Sequence, residues 1–346
     1  MGLQIFIEKH LYKRTFFSYL LYPFSIIYAT IVLIKRQIYK YLPLLSFNSK
    51  FKIISIGNIT TGGAGKTPVT LYIAKQLIQR NYKIAIVLRG YKGKFEHSVK
   101  LISDFNGVYD FAKEAGDEAY LYTQKLSNIP VCVGKNRRKS IQLLESRFPE
   151  IDYIIMDDAF QHLKIKVDFS ICVFNSINLW GNGFCLPAGI LREPFSVLKY
   201  ADSIILNGSD NQQLRQRIKN NLYFIGGYKV SNLYFKGKDL SVDNLQNSKN
   251  IIMSGIGTPK SFENTVISLK IPYVESIYLN DHFDYSMSFI EELKKKVDNE
   301  RIDYIIITEK DYSKVFKINL PFVVVKIDFI LDRDSEEKLL STISKI

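Results

Sequence analysis

The chain has 346 residues, 47% of them hydrophobic, and its 47 Lys and Arg outnumber 34 Asp and Glu to give a net charge of +13. That length and apolar content suffice for one large or two ordinary buried cores, which excludes a disordered or fibrous chain. The positive excess calls for an anionic partner: nucleic acid, an acidic lipid surface or a phosphorylated small molecule. The cysteines, Cys132, Cys172 and Cys185, are odd in number and lack C-x-x-C spacing, which fits a reducing compartment and excludes a thiolate metal site.

Residues 15–34, TFFSYLLYPFSIIYATIVLI, carry no charge. As a helix they would be about 30 Å long, the thickness of the hydrocarbon core of a bilayer. Lys13 and Arg14 precede them and Lys35, Arg36 and Lys40 follow, so counting basic residues leaves the orientation open. Pro23, the tyrosines and Ser18, Ser25 and Thr30 leave open three placements: spanning the bilayer, lying in its face, or packing on the protein. Residues 1–40 are therefore expected to form a membrane-associated N-terminal helix.

A strand-and-helix alternation begins after residue 50. Strands are expected at 52–56, 83–88, 130–133, 152–156, 169–174 and 203–206, with helical patterns between several of them. Such alternation predicts an α/β fold: a mainly parallel sheet flanked by helices, with ligands at the carboxyl ends of its strands. Residues 41–220 would form this domain. A polar stretch at 221–249 with a short strand reads as a linker, and 250–346 as a smaller C-terminal α/β domain with strands near 251, 304–308 and 322–327.

The pivotal segment is residues 52–80. A short apolar strand leads into a glycine-rich turn and then a helix with Val69, Ile73 and Leu77 on one face. The turn, Thr60, Thr61, Gly62, Gly63, Ala64 and Gly65, followed by Lys66 and Thr67, has the form of a P-loop, a phosphate cradle of backbone amides backed by a helix N-terminus. Lys66 would reach the β- and γ-phosphates and Thr67 would offer a hydroxyl to Mg²⁺. Thr60 stands where the G-x-x-x-x-G-K-[ST] pattern has its first glycine.

The apolar strand before Asp157 and Asp158 has the form of a Walker B element, whose carboxylates hold Mg²⁺ beside the cradle, directly or through water. Arg89-Gly90-Tyr91, Gly116-Asp117-Glu118 and Leu191-Arg192-Glu193 fall where strands should end or helices begin, and 134–139 is a basic cluster. Of the four histidines, His162 and His282 lie in acid-rich loops, the setting of a general base or its partner.

Taken in order, SIGNITTGGAGKTP, RGYKGK, AGDEAYL, VGKNRRK, DDAFQH, LPAGILREP, GIGTP, NDHFDYS and TEKD resemble the tetraacyldisaccharide 4′-kinases of lipid A biosynthesis, over residues 15 to 311. Thr60 is itself a feature of that family. Ala159 and Ile190 replace its usual glycine and proline. The resemblance implies a P-loop kinase that moves the γ-phosphoryl of ATP to the 4′-hydroxyl of a tetraacylated glucosamine disaccharide 1-phosphate, a lipid A precursor, on the cytoplasmic face of the bacterial inner membrane. It implies that Asp117 and His282 act together at the acceptor hydroxyl and that Lys66 and the loop amides hold the phosphates. Thr67, Asp157, Asp158 and Glu193 would surround Mg²⁺, and Arg89, Arg137, Arg192 and His162 would meet charge on the nucleotide or the lipid head group.

Rival readings remain at this level, among them a membrane-anchored binding protein that uses ATP only structurally and has no need of Asp117. A membrane-associated regulatory GTPase or ATPase could share the sheet, but guanine readers carry N-K-x-D and this chain has none. Nucleic-acid binding lacks any reading module.

Overall fold

Apolar runs of β-branched residues bounded by turns form the central strands, because strands covered on both faces are apolar throughout. In the computed structural model, which describes residues 10–218, 221–256, 259–280 and 283–346, the chain divides into two compact units. One takes in the described residues up to Gly227 together with Phe329–Ile346; the other is Tyr228–Asp328.

The first unit opens with helix α1 (Phe16–Tyr41), started by a capping box in which the side chains of Thr15 and Ser18 satisfy each other's backbone amides. There follow β1 (Lys52–Gly57), α2 (Lys66–Gln79), β2 (Ile84–Leu88), β3 (Lys100–Asp104), β4 (Gly107–Val108), α3 (Asp117–Lys125), β5 (Val131–Val133) and α4 (Arg137–Arg147). β6 (Tyr153–Asp157), β7 (Phe169–Asn175), β8 (Ser203–Asn207), α5 (Gln212–Arg217) and the start of β9 (Leu222–Phe235) complete its sheet. Strand order is β9-β8-β7-β1-β6-β2-β5-β3-β4. All pairs from β9 to β5 are parallel, and β3 is antiparallel to β5 and to β4. The expected parallel strands are thus all present, and the β3–β4 hairpin is an addition that no alternation marked.

β1 lies between β6 and β7, with Ile56 in register with Asp157, so the turn leaving β1 and the acids ending β6 emerge side by side. Val69, Ile73 and Leu77 of α2 are buried against Ile54, Ile56 and Ile155, as their spacing requires. Below α2 the chain's last segment returns to this unit. Phe329, Leu331, Leu339, Leu340 and Ile343 join the same core, Phe329 packs edge-on against Tyr72, and the Tyr72 hydroxyl donates to Glu336.

The second unit contains the rest of β9, β10 (Lys238–Asp239), α6 (Asp243–Gln246), β11 (Asn250–Ser254), α7 (Pro259–Ser268), β12 (Glu275–Tyr278), α8 (Met287–Glu300), β13 (Tyr304–Thr308), α9 (Glu309–Val315) and most of β14 (Phe322–Leu331). α10 (Arg333–Ile343) follows β14 and belongs to the first unit. Parallel β12-β11-β13-β14 is its sheet. The division differs from the one expected at residues 220 and 249: it falls inside β9, a continuous strand where a linker was expected, and residues 329–346 leave the second unit because their apolar face covers the first unit's core.

Asp311, in the first turn of α9, organises the second unit from within. Fully buried, it accepts from the Gly255 amide (3.1 and 3.2 Å), the Thr308 hydroxyl (2.7 Å) and the Tyr285 hydroxyl (2.9 Å). Burial, with the neighbouring Asp311 charge, pushes the Tyr285 phenol far up. Removing a charged acceptor strands several buried donors, so Asp311→Ala should destabilise this unit by roughly 3 kcal/mol, as read by chemical denaturation. Wild-type stability in that variant would show that the donors find other partners.

Candidate active site

The turn after β1 has the geometry of an anion cradle. Gly62 (φ 97°) and Gly65 (φ 85°) take left-handed conformations that a side chain would strain, and Gly65 is the residue that starts α2. Thr60 needs no such freedom. It is extended and bridged to Leu191, and its hydroxyl accepts from the Asn58 amide group at 3.0 Å, which is why a threonine is tolerated at this position. The bridge continues on both sides: Thr61 N–H donates to the Ile190 carbonyl and Arg192 N–H to the Ile59 carbonyl, each at 2.7 Å. The Leu-Arg-Glu-Pro segment is therefore zipped to the approach of the loop.

Charge converges at the end of β6. Lys66 Nζ lies 3.6 Å from Asp158 Oδ1, and Arg192 Nη1 donates to the same oxygen at 2.9 Å. Burial works against ionisation of Asp158, yet Lys66 and Arg192 hold its carboxyl below the usual carboxylate range. Asp157 is the opposite case. Buried beneath the cluster, it is pushed up by desolvation while accepting from Tyr122 Oη at 2.7 Å and from the Asp158 amide at 2.9 Å. Thr70 Oγ1 adds a longer contact at 3.5 Å. Burial and this carboxylate raise the Tyr122 phenol well above its ordinary range, so it stays a donor.

This arrangement fits Mg²⁺ held chiefly by phosphate oxygens and water. No cluster of three His, Cys, Asp or Glu forms a metal cage among the described residues. A magnesium ion on phosphates needs only one or two protein oxygens. Thr67 in the first turn of α2 and Asp157 with Asp158 at the end of β6 would offer that donor set.

Glu193 lies elsewhere. It is buried, and its carboxylate is taken by Arg36 of α1, whose Nε donates at 3.1 and 3.2 Å and whose Nη2 donates as well. That engagement gives the expected metal donor a structural partner in α1. Arg137 is buried too: Nη1 donates to the Gly134 carbonyl at 2.7 Å and Nη2 to the Asp157 carbonyl at 3.4 Å, while Nε finds no partner among the described residues. Desolvation pushes it down to about 10, and it sits behind the acids rather than reaching outward. Arg89 is half exposed and bound to Glu96 at 2.7 Å. His162 is pushed down to about 4 by burial and by Arg137, Lys164 and Lys35, so near neutral pH its ring carries no charge to offer a phosphate.

Asp117 is exposed in the first turn of α3, the helix whose Tyr122 grips Asp157. Its loop is locked by close approach: a Cβ on Gly93 would lie 2.2 Å from the Ala115 carbonyl oxygen, and Lys94 N–H donates to Glu114 O at 2.7 Å. The RGYKGK and AGDE motifs therefore form one structure. His282, expected to work with Asp117, lies outside the described residues. Sequence reasoning missed Tyr122, Thr70, Asn58 and Arg36; a tyrosine five residues after Asp117 on a helix leading to the sheet was the one legible hint.

With this geometry in view, likeness to known proteins takes on a specific meaning. The sequence model of the family described as tetraacyldisaccharide-1-P 4'-kinase matches residues 17–344. A protein named tetraacyldisaccharide 4'-kinase from Wigglesworthia glossinidia brevipalpis is 33% identical over 337 residues, spanning 96% of this chain and 87% of its own. Another of that name, from Halothermothrix orenii, is 31% identical over 310 residues, spanning 83% and 80%. A crystal structure of "apo" form LpxK from Aquifex aeolicus, in complex with ATP, shares 26% identity at a TM-score of 0.75, covering 94% of this chain and 99% of that one. The match begins inside α1 and ends past α10, so the apolar helix and both units fall within one family pattern, and the chain belongs to the tetraacyldisaccharide-1-P 4'-kinase family.

Proposed function

We propose that the protein transfers the γ-phosphoryl group of ATP to the 4′-hydroxyl of a tetraacyldisaccharide 1-phosphate at a membrane surface. The observation that carries this reading is the meeting of Lys66 and Arg192 on Asp158 beside a glycine cradle. Phosphoryl transfer asks for positioned charge more than for covalent chemistry, and this cluster supplies it. The amides of residues 62–65 and the N-terminus of α2 bind the phosphates, and Lys66 turns from Asp158 to the β- and γ-oxygens. Arg192 meets charge that develops on the transferred group. Mg²⁺, when bound at Thr67 and the Asp157–Asp158 pair, neutralises phosphate oxygens. Asp117 takes the proton of the acceptor hydroxyl, and His282 orients it. His162 serves as a neutral hydrogen-bonding ring. The acceptor is a lipid, not a nucleic acid.

The membrane reading rests on an inverted helix. In α1 the buried residues are Ser18, Ser25 and Arg36, whose spacings of about two and three helical turns place them on one stripe. Phe16, Leu20, Phe24, Ile27, Ile31 and Ile34 are exposed. Such an apolar face is stable only against lipid or a partner. Polar contacts hold the other side to the folded body from Arg14 (to Asn182 O) through Ser25 (to Cys185 O) and Tyr28 (to Arg192 O) to Arg36. A helix held along its length in this way lies in the membrane face and does not cross the bilayer. Because ATP is cytosolic, that face is the cytoplasmic one.

Incubation with ATP, Mg²⁺ and the lipid disaccharide 1-phosphate in detergent should yield the bis-phosphorylated lipid. Lys66→Ala should lower kcat by about three orders of magnitude at unchanged melting temperature. Asp117→Ala and His282→Ala should lower kcat far more than ATP affinity, and the double variant should be little worse than the poorer single one. Multiplying losses would show that the two do not share a proton transfer.

Placing aspartate at Ile27 and Ile31 should weaken binding to anionic vesicles by at least about tenfold while leaving nucleotide affinity intact. Unchanged vesicle binding would remove the membrane role of this face.

Because the unfolded chain takes up the His162 proton first, stability should fall as the pH drops from 6.5 towards about 4. In the folded protein the NMR signals of this ring should stay constant from neutral pH to about 5. A midpoint near 6.5 would show that the ring is open to solvent.

A further inference from the structure

We propose that Arg36, inside the apolar helix α1, is a positioning residue for the nucleotide site. Its guanidinium is buried, 7% exposed, with its carbon 4.7 Å from the Phe160 ring centre and 5.4 Å from that of Tyr200. The fork makes two kinds of bond. Nε and Nη2 donate to the Glu193 carboxylate, and Nη2 also donates to the Phe160 carbonyl at 2.9 Å. These two acceptors belong to the two segments that meet at the phosphate cluster. Phe160 lies two residues after Asp158, and Glu193 directly follows Arg192. Arg36 thus ties the Phe160 backbone to the Glu193 side chain, and so links the two segments whose nearby residues Asp158 and Arg192 pair at 2.9 Å.

A second contact from the same helix points the same way. Tyr28 Oη donates to the Arg192 carbonyl at 2.9 Å, so α1 grips this residue's own backbone as well as its neighbour. The segment then passes its position to the cradle through the Thr60–Leu191 bridge and the two flanking backbone bonds. Holding a helix to a protein needs no ion pair, since desolvating two charges offsets most of their attraction and an apolar pair of similar volume does as well. What a planar fork provides, and an apolar contact or a lysine does not, is fixed angles between two separate acceptors. The seating of α1 therefore sets the geometry of Arg192. A membrane-facing helix and a phosphate-facing arginine become one mechanical part.

This inference rests on the reading of Lys66, Asp158 and Arg192 as the nucleotide site, and the test separates the two. Full-length protein in detergent would be compared as wild type, Arg36→Met, Arg192→Gln and the double variant. The readouts are kcat, KM for ATP, melting temperature and equilibrium binding of a fluorescent ATP analogue. Arg36→Met should lower kcat/KM for ATP by roughly ten- to a hundredfold, and the double variant should fall within about twofold of the poorer single variant, because both changes remove one placement. Losses that multiply, or wild-type kinetics in Arg36→Met, would overturn the inference. If Arg36→Met is too unstable to assay, Arg36→Met/Glu193→Leu replaces the pair by apolar groups and should recover the melting temperature without the activity; recovery of both would overturn it. Tyr28→Phe, a milder release of the same backbone, should give a loss of about two- to fivefold at unchanged melting temperature, and no loss would count against the inference. A wild type that binds the ATP analogue but does not phosphorylate the lipid would sink the proposed reaction alone, since analogue affinity still reports Arg36. A wild type that binds no nucleotide would sink both.

Discussion

Asp158 draws Lys66 and Arg192 into one cluster at the end of β6, and most of the first unit is arranged to keep that cluster in place. The constraint is electrostatic. Several charges held within a few ångströms of one another, at a site that must also accept phosphates, stay put only if the groups behind them are fully bonded. Tyr122 and Thr70 bond Asp157 from two helices, Asn58 bonds Thr60, and the Gln161 amide group donates to the Asn58 carbonyl at 2.7 Å. Each comes from a different element, so the sheet, α2 and α3 are fixed relative to one another by the needs of a few oxygens.

The adjacent acids show how environment separates two identical side chains. Asp157 is sealed in and pushed up by desolvation, with its oxygens accepting from Tyr122 and the Asp158 amide. Asp158, in a left-handed conformation (φ 47°), turns out to meet the cations and is held down despite its burial cost. The reversal of backbone direction at that one residue lets consecutive carboxylates face different surroundings. An apolar strand with two acids after it is visible in a sequence, but this division of labour is not.

The strands and the cradle were legible because they depend on local pattern. Alternation of apolar runs with helical stripes placed β1, β2 and β5 to β8 to within a residue or two, and the glycines of the cradle announce positive φ. The parts that were not legible depend on distant partners. Glu193 stood among the metal ligands that the family resemblance implies, and nothing local shows that Arg36, 157 residues away in sequence, binds it. Arg36 itself read as a flanking membrane charge, since nothing local says that its side chain turns inward. Residues 329–346 read as part of the second unit because chain order is a poor guide when a last helix returns to cover an earlier core. His162 stood with the arginines as a group to meet phosphate charge because the family resemblance implied it, and its acidic neighbours in sequence give no sign that Arg137, Lys164 and Lys35 surround it in space.

α1 carries the same lesson into mechanism. Judged by composition it is a membrane segment and separable from the enzyme, so that cutting it away would seem to release a soluble kinase. Its burial pattern argues otherwise, because the polar residues that composition counts as blemishes in an apolar helix are the ones that face the protein. Ser25 and Tyr28 bond the backbone of the segment that carries Arg192, and removal of Arg36 would leave Glu193 as a buried charge with no counter-ion, a far larger penalty than the loss of a surface contact. Truncation would therefore confound two effects, loss of lipid contact and collapse of the Arg192 segment. Substitutions on the outward apolar face disturb only the first, and those on the inward polar stripe only the second, because the two sets of residues point in opposite directions from one helix axis.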